Sequence, residues 1–92
     1  MLDFEWDEQK AAANFAKHGV SFAAASAVFD DPFALDIEER SMDYGELRRR
    51  VIGLGNGIVL TVIYTERGNA IRLISARKAT RIERREYELA RW

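Results

Sequence analysis

The residues best suited to chemistry stand close together near the end of the chain, and most of them are basic. The set comprises Arg72, Ser75, Arg77, Lys78 and Arg81. Arg72 falls in the middle of an alternating apolar segment, which predicts a cation on the floor of a β-sheet. Arg77, Lys78 and Arg81 fall where a strand ends and a helix begins, and the backbone amides of a helix start also favour phosphate. The pattern therefore predicts a site that binds phosphate.

Charge is distributed unevenly along the chain, although the 92 residues together carry a formal net charge of only −1. Residues 1–46 contain 11 acidic and 3 basic side chains, whereas residues 47–92 contain 4 acidic and 11 basic ones. Such an asymmetry indicates a polyanion or an acidic protein as partner. Arg48–Arg50 adds a second basic cluster on a neighbouring predicted strand, and the two clusters together predict a footprint for a phosphate backbone.

The same basic residues also have purely structural explanations. Arg72 could form a salt bridge with a carboxylate such as Asp36 or Glu66, because a buried cation is costly unless it is paired. The arginines of the final predicted helix could form an ordinary solvated face, since exposed arginines are common. These arginines are Arg81, Arg84, Arg85 and Arg91.

Lys17 and His18 are the candidates for proton transfer, and they lie together at the end of the first predicted helix. Histidine is the side chain that most readily exchanges protons near neutral pH, which suits His18 to general acid or base catalysis. Alternatively, both cations complement the negative end of the helix dipole. Trp6 and Tyr87 could stack on a nucleic-acid base, although such residues more often pack in a core.

The composition argues against several classes of protein. The chain has no cysteine and a single histidine, so we expect neither a disulfide framework nor a metal or other cofactor. The longest apolar run, Ile58–Tyr64, is far shorter than the roughly 20 residues of a membrane span. The start of the chain is acidic, unlike a signal peptide. We therefore expect one soluble, cytoplasmic domain over residues 1–92 that does not bind a membrane.

A short strand and a helix open the predicted fold. Leu2–Trp6 has the alternation of a strand. The helix would begin after an Asp7 N-cap and end at His18, with Gly19 in the left-handed conformation as its C-cap. The residues expected on its apolar face are Ala11 and Phe15.

A second helix is predicted over Phe22–Phe29, with Ser21 as its N-cap. It would end at Asp31-Pro32, because proline disfavours a helical conformation in the residue before it. The residues expected to face the core are Phe22, Ala25, Val28 and Phe29.

Four strands and a final helix complete the prediction. The segments are a strand around residues 33–37, a polar loop over Glu38–Glu46, strands at Arg48–Leu54 and Ile58–Thr65, a turn at Glu66–Asn69 and a strand at Ala70–Ala76. Asn56-Gly57 is a strong hairpin signal that predicts Val51 opposite Val62 and Gly53 opposite Leu60. Thr80 and Glu83 form a capping box that begins a helix through about Arg91. The order β-α-α-β-β-β-β-α predicts an α+β domain: an antiparallel meander with two N-terminal helices and one C-terminal helix.

The central strand Ile58–Thr65 is apolar on both faces, so each face needs a cover. The N-terminal helices can cover one face, and the other would be covered by the last helix or left in part as a binding groove. In Ala70–Ala76, simple alternation predicts two sides. One side would carry Ile71, Leu73 and Ser75, and the other Ala70, Arg72 and Ile74.

Several short motifs, taken in order along nearly the full chain, form a specific set. They are Phe4-Glu5-Trp6-Asp7, Lys17-His18-Gly19-Val20-Ser21-Phe22, Val28-Phe29-Asp30-Asp31-Pro32, the Ile52-Gly53 strand and Arg72–Glu88. With this set the chain resembles the BrnT family, which are toxins of type II toxin–antitoxin modules. The positions that the resemblance marks as most important are Trp6, Lys17, His18, Arg72, Ser75, Arg77 and Lys78.

The resemblance implies both a fold and an activity. The fold would be similar to that of RelE-type ribonucleases, with helices packed on an antiparallel sheet. The activity would be RNA cleavage that inhibits translation. The implied partner is a BrnA-like antitoxin with a ribbon-helix-helix DNA-binding part, and the complex would bind operator DNA and regulate its own operon.

The leading hypothesis is a metal-independent endoribonuclease that uses the RNA 2′-hydroxyl as nucleophile. Arg72 and Arg77 would stabilise the developing phosphorane charge, and Lys17 or His18 would transfer a proton. The RNA-binding residues would be Trp6, Ser75, Lys78 and Arg81. The alternative is a non-catalytic binding module whose basic face holds nucleic acid or an acidic protein. A third possibility is that the chain acts only as half of a transcriptional repressor.

Overall fold

The computed structural model describes residues 2–39 and 47–91. Its elements in chain order are β1 (Asp3–Glu5), α1 (Glu8–His18), α2 (Phe22–Ser26), a 3₁₀ helix (Ala27–Asp30), β2 (Leu35–Glu39), β3 (Arg48–Gly55), β4 (Ile58–Arg67), β5 (Ala70–Lys78) and α3 (Arg81–Ala90). The α+β class and the order of elements are as predicted. The predicted polar loop over Glu38–Glu46 is a strand through Glu39, and residues 40–46 lie outside the described residues. In the described ranges no helix has the length and apolar character needed to cross a membrane.

Within the described residues, five strands form one sheet in the order β1-β5-β4-β3-β2. β2 to β5 pair antiparallel, whereas β1 runs parallel to β5, with Asp3 opposite Ala70 and Glu5 opposite Arg72. The prediction of an antiparallel meander is therefore wrong for the first strand, and the sheet is mixed. A three-residue strand followed by two helices has no hairpin turn to fix its direction, so its direction depends on where the helices pack.

Turn chemistry sets the register of the central hairpin. Asn56 and Gly57 have φ values of 52° and 79°, which is the left-handed pair that a type I′ turn requires. The predicted register pairs are confirmed: Val51 with Val62, and Gly53 with Leu60. The next turn is shorter than predicted, because β4 continues to Arg67 and β5 begins at Ala70.

A β-bulge in β5 changes which side chains share a face. Strict alternation would put Arg72 and Arg77, five residues apart, on opposite faces. In the structure Thr65 lies opposite Arg72 and Thr61 lies opposite Arg77, so β5 has one residue more than β4 over this interval. Because cross-strand neighbours share a face, the bulge places both arginines on one face. The predicted alternation is wrong beyond the bulge, and Ser75 shares the face of Arg72.

The two N-terminal helices and the 3₁₀ helix cover one face of the sheet, which we call the helix face. Its buried apolar cluster consists of Val20, Phe22, Ala25, Val28, Val51, Leu60, Val62, Tyr64, Ile71, Leu73 and Ala76. The inward residues predicted for the second helix are buried or half-buried, but its α-helical part ends at Ser26 and continues as the 3₁₀ helix. Gly53 permits this close packing, since a Cβ there would lie 2.8 Å from Cγ1 of Val28.

α1 begins and ends as predicted but buries a different residue. Asp7 caps its first turn, and Gly19 ends it with φ 72°. The residue it buries is Asn14, whose carboxamide donates to the Ala76 carbonyl at 2.8 Å and accepts from the Ala76 N–H at 3.1 Å. Asn14 thus provides hydrogen-bond partners for the β5 backbone at a position that the short β1 does not reach. Phe15, predicted to face the core, is 57% exposed.

α3 crosses the opposite face of the sheet. Its predicted capping box is present, with Thr80 accepting from the Glu83 N–H and Glu83 accepting from the Thr80 N–H. Farther along, the Tyr87 hydroxyl donates to Asp31 at 2.6 Å. Ile52 and Thr61, which lie on this face, are fully buried. The last helix therefore covers one end of this face, whereas Ile63, Arg72 and Ser75 farther along it are half-exposed.

Candidate functional site

The face opposite the helix face carries five arginines among the described residues, and we call it the arginine face. These residues are Arg48, Arg50, Arg67, Arg72 and Arg77. Cross-strand register orders the face in rows, which are Ile52–Thr61–Arg77, Arg50–Ile63–Ser75 and Thr65–Arg72–Glu5. Each of these rows carries one arginine, and successive rows on one face of a strand are about 7 Å apart, so the arginines of neighbouring rows are within reach of a single RNA segment.

At the end of this face under α3, one carboxylate gathers several donors, and we call this group the Glu83 cluster. The cluster comprises Arg50, Thr61, Arg77, Thr80 and Glu83. Arg77 binds the Glu83 carboxylate with both terminal nitrogens, at 2.7 and 3.1 Å. Arg50, the Thr61 hydroxyl and the Thr80 N–H each donate to it at 2.9 Å. The Glu83 side chain is only 6% exposed, so a buried carboxylate with five accepted hydrogen bonds forms the centre of the cluster.

The surroundings of Glu83 hold it in the charged form. Burial by itself raises the pKa of its carboxyl, but the hydrogen bonds from Arg77, Thr80, Thr61 and Arg50 outweigh burial and lower the pKa far below the usual range. The bond to Glu83 in turn raises the pKa of Arg77. A carboxylate so firmly ionised and fully bonded is a poor proton acceptor, so Glu83 orders the arginines and is unsuited to act as a general base.

At the other end of the arginine face, the carboxylate neutralises the arginine charge much less. The group at this end comprises Glu5, Arg67 and Arg72, and we call it the Arg72 cluster. The Glu5 carboxylate oxygen Oε1 lies 3.9 Å from Nη1 of Arg72 and 3.5 Å from Nε of Arg67. Both distances exceed normal hydrogen-bond lengths. The Arg72 side chain is 30% exposed. The carboxylate paired with Arg72 is therefore Glu5, rather than the suggested Asp36 or Glu66, and the guanidinium keeps donors for a ligand.

The basic run Arg48–Arg50 is divided between the two faces. Arg50 belongs to the Glu83 cluster and also lies 3.8 Å from Oε2 of Glu39. Arg49 points the other way, where its Nε lies 3.0 Å from Asp36, which also accepts from the Tyr64 hydroxyl at 2.6 Å. The hydrogen bond that Arg49 donates to Asp36 raises the pKa of Arg49. The run therefore supplies Arg48 and Arg50, but not Arg49, to the arginine face.

Of the sequence-predicted site residues, the arginine face brings together Arg72, Ser75 and Arg77. Lys78 pairs with Leu60, a core residue of the helix face, and lines a groove there. Arg81 is exposed at the start of α3, in a shallow recess that is also lined by Arg84, Arg85 and Glu88. These two residues can extend a basic surface around the face but do not belong to it.

Trp6, Lys17 and His18 lie elsewhere. The Trp6 ring packs edge-on against Phe22 with centroids 5.9 Å apart, and its indole N–H donates to Glu8 at 2.8 Å. Lys17 and His18 end α1, on the helix face. In residues 2–39 and 47–91, no hydrogen bond or ion pair joins either of them to Arg72 or Arg77. The structure does not bring the predicted proton-transfer residues into contact with the predicted charge stabilisers.

Sequence reasoning did not assign a site role to Glu5 or Glu83. The sequence identifies Glu83 only as a helix cap, because its ion-pair partners Arg77 and Arg50 lie 6 and 33 residues away along the chain. Glu5 was visible only as part of a short motif, because its proximity to Arg72 depends on the parallel pairing of β1. The described ranges contain no cluster of three or more His, Asp or Glu side chains arranged for a metal ion.

Comparison with known proteins gives one family. A family model described as the ribonuclease toxin BrnT of type II toxin–antitoxin systems matches residues 6–83. No curated protein matches the chain. The matched range includes α1, the central hairpin, Arg72, Arg77 and Glu83, so it spans both the helix face and the arginine face.

Proposed function

The chain belongs to the BrnT family of ribonuclease toxins of type II toxin–antitoxin systems, and from this premise we propose that it cleaves RNA on its arginine face. The observation that supports this site best is the bulge-dependent grouping of Arg72, Ser75 and Arg77 on one face, beside Arg48 and Arg50. Arginine binds phosphate with planar, multiply donating geometry, so this face suits an RNA backbone.

The proposed reaction is metal-independent transesterification. The RNA 2′-oxygen attacks the adjacent phosphorus while the bond to the 5′-oxygen breaks, which leaves a 2′,3′-cyclic phosphate and a 5′-hydroxyl. Arg72 and Arg77 stabilise the charge that develops on the phosphorane, and preorganised donors of this kind are each worth about 100-fold or more in rate. Ser75, between them on β5, contacts the substrate.

The predicted outer residues have supporting roles in this proposal. Lys78 and Arg81 hold the RNA backbone beyond the arginine face, and Trp6 contacts a base. Lys17 or His18 donates or accepts a proton, a role that requires the substrate to reach the end of α1. Arg72 and Arg77 lie on the arginine face itself, whereas these outer residues lie beside it or on the helix face.

The proposed physiological setting follows the family. A type II module includes a protein antitoxin, and we propose a BrnA-like antitoxin that neutralises the toxin and, in complex with it, binds operator DNA. We also propose that the RNA cleavage inhibits translation. The proposed fold is RelE-like, with a single toxin domain over residues 1–92.

The test is incubation of the purified chain with a defined RNA, with and without EDTA, followed by mapping of the product ends. We expect cleavage that EDTA does not reduce, with 2′,3′-cyclic phosphate or 3′-phosphate ends. RNA that is bound but never cut would favour the alternative of a non-catalytic binding module. In cells, we expect growth arrest on induction and rescue by the neighbouring gene.

A further inference from the structure

Glu5 lies at the edge of the arginine face, next to Arg72, whose guanidinium keeps donors for a ligand. We propose that its carboxylate is the general base that removes the proton from the RNA 2′-hydroxyl. The inference rests on the proposed ribonuclease function and assigns a catalytic residue that the sequence did not indicate.

The parallel pairing of β1 gives Glu5 its position. Glu5 and Arg72 are register partners, so their side chains leave the same face of adjacent strands. The Glu5 Oε1 to Arg72 Nη1 distance is 3.9 Å. A base and a phosphate-binding cation must lie a few ångströms apart, because the attacking oxygen sits about 3–3.5 Å from the phosphorus. This pair has that spacing.

The Glu5 carboxylate also has unused acceptor capacity. Its Oε1 is buried and accepts no hydrogen bond from any residue that the structure describes. The Oε1 atom itself is covered, but the side chain as a whole is 42% exposed, so a substrate can reach the carboxylate from its exposed part. The charged groups that face it are Arg67 on β4 and Arg72 on β5, at 3.5 and 3.9 Å. Glu83, in contrast, accepts five hydrogen bonds from the described residues.

The chemistry balances without a further reactant. The Glu5 carboxylate takes the 2′-hydroxyl proton as the 2′-oxygen bonds to phosphorus. Arg72 binds a non-bridging phosphate oxygen and stabilises its charge. The bond from phosphorus to the 5′-oxygen then breaks, and this oxygen leaves with a proton from water or from a second acid. General bases of this kind contribute about 100- to 10,000-fold to the rate.

The experiment measures single-turnover cleavage of the defined RNA by full-length variants whose folding is checked by thermal unfolding. Glu5→Gln keeps the shape of the side chain but cannot accept the proton, so we expect a loss of about 100-fold or more. Glu5→Asp keeps a carboxylate and should cleave at least about ten times faster than Glu5→Gln. The matched control is Asp3→Asn, an equivalent change on the same strand and the same face.

A readout specific to the proton transfer is chemical rescue. Formate added to the Glu5→Ala variant should restore part of the cleavage rate, whereas it should not restore an arginine variant. Two results would overturn the proposal: Glu5→Gln cleaving within about twofold of the wild type, or a folded Glu5→Ala that formate leaves inactive. Wild-type protein that leaves RNA intact would instead refute the proposed function itself.

Discussion

The two ends of the arginine face differ in how their arginines are neutralised. In the Glu83 cluster, the carboxylate is 6% exposed and holds Arg50 and Arg77 in short, multiple hydrogen bonds. In the Arg72 cluster, Glu5 is 42% exposed and its ion pairs with Arg67 and Arg72 are 3.5 Å or longer. The same residue types therefore make a structural anchor at one end and a ligand-accessible site at the other.

This difference shows why the number of arginines alone is a poor guide to function. Breaking a buried ion pair strongly destabilises the fold, because the remaining charge is left buried without a partner. A half-exposed pair contributes little to stability. We expect loss of the Glu83 carboxylate to act mainly on folding, changes in the Arg72 cluster to act mainly on cleavage, and changes at Arg77 to act on both. Four measurements test this division.

The largest expected effect is on stability, from Glu83→Ala. The change leaves Arg50 and Arg77 without their shared carboxylate and removes half of the capping box, so we expect a loss of about 3–5 kcal/mol in the free energy of unfolding. Urea denaturation measures it. Glu86→Ala, on the exposed side of the same helix, is the control and should change stability by less than about 0.5 kcal/mol. Equal stability of the two variants would remove the distinction between the clusters.

The next largest effect is on the reaction, from Arg72→Ala. We expect cleavage to fall about 100- to 1,000-fold, with a change in unfolding free energy below about 1 kcal/mol. Arg77→Ala should lower both quantities, because this guanidinium also binds Glu83 at 2.7 Å. Single-turnover cleavage and urea unfolding of the two variants give the comparison. A folded Arg72→Ala that cleaves at the wild-type rate would show that the arginine face is not the site.

A third prediction concerns acid. The pKa of Glu83 is lowered on folding, so its ionisation stabilises the native state above the pKa of the unfolded residue, about 4.3, and this contribution is lost as pH falls. The urea midpoint of the wild type should therefore fall more steeply between about pH 5 and pH 2 than that of Glu83→Gln. The pKa of Asp31 is also lowered, because hydrogen bonds from Tyr87 and from the Leu54 and Phe33 N–H groups outweigh the effect of burial. The urea midpoint of Glu83→Gln should therefore still fall with pH, but with a shallower slope. Parallel curves would contradict the prediction.

The smallest predicted effect tests whether the position of α3 matters to the reaction. Tyr87→Phe removes the 2.6 Å hydrogen bond to Asp31 and should lower the free energy of unfolding by about 1.5–3 kcal/mol. Cleavage per folded molecule should stay within about twofold of the wild type, because Tyr87 does not contact the Arg72 cluster in the described structure. A larger loss of cleavage would mean that α3 also controls the open end of the face.

Local sequence determined much of the fold because several signals act over a few residues. The Asp7, Ser21 and Thr80 caps, the Gly19 C-cap and the Asn56-Gly57 turn are all present where the sequence predicted them. Each depends on hydrogen bonds or backbone dihedral preferences within about four residues. The ordered motifs likewise sufficed to identify the BrnT family.

Only the tertiary structure decided how the basic residues are grouped. The bulge in β5 joins Arg72 and Arg77 on one face, whereas the sequence alternation separates them. Parallel pairing of β1 brings Glu5 to Arg72, and packing of α3 brings Glu83 to Arg50 and Arg77. The sequence by itself determined the elements, the charge and the family. Which arginine is buried and which can meet a ligand depends on contacts between distant segments, and no local preference encodes those contacts.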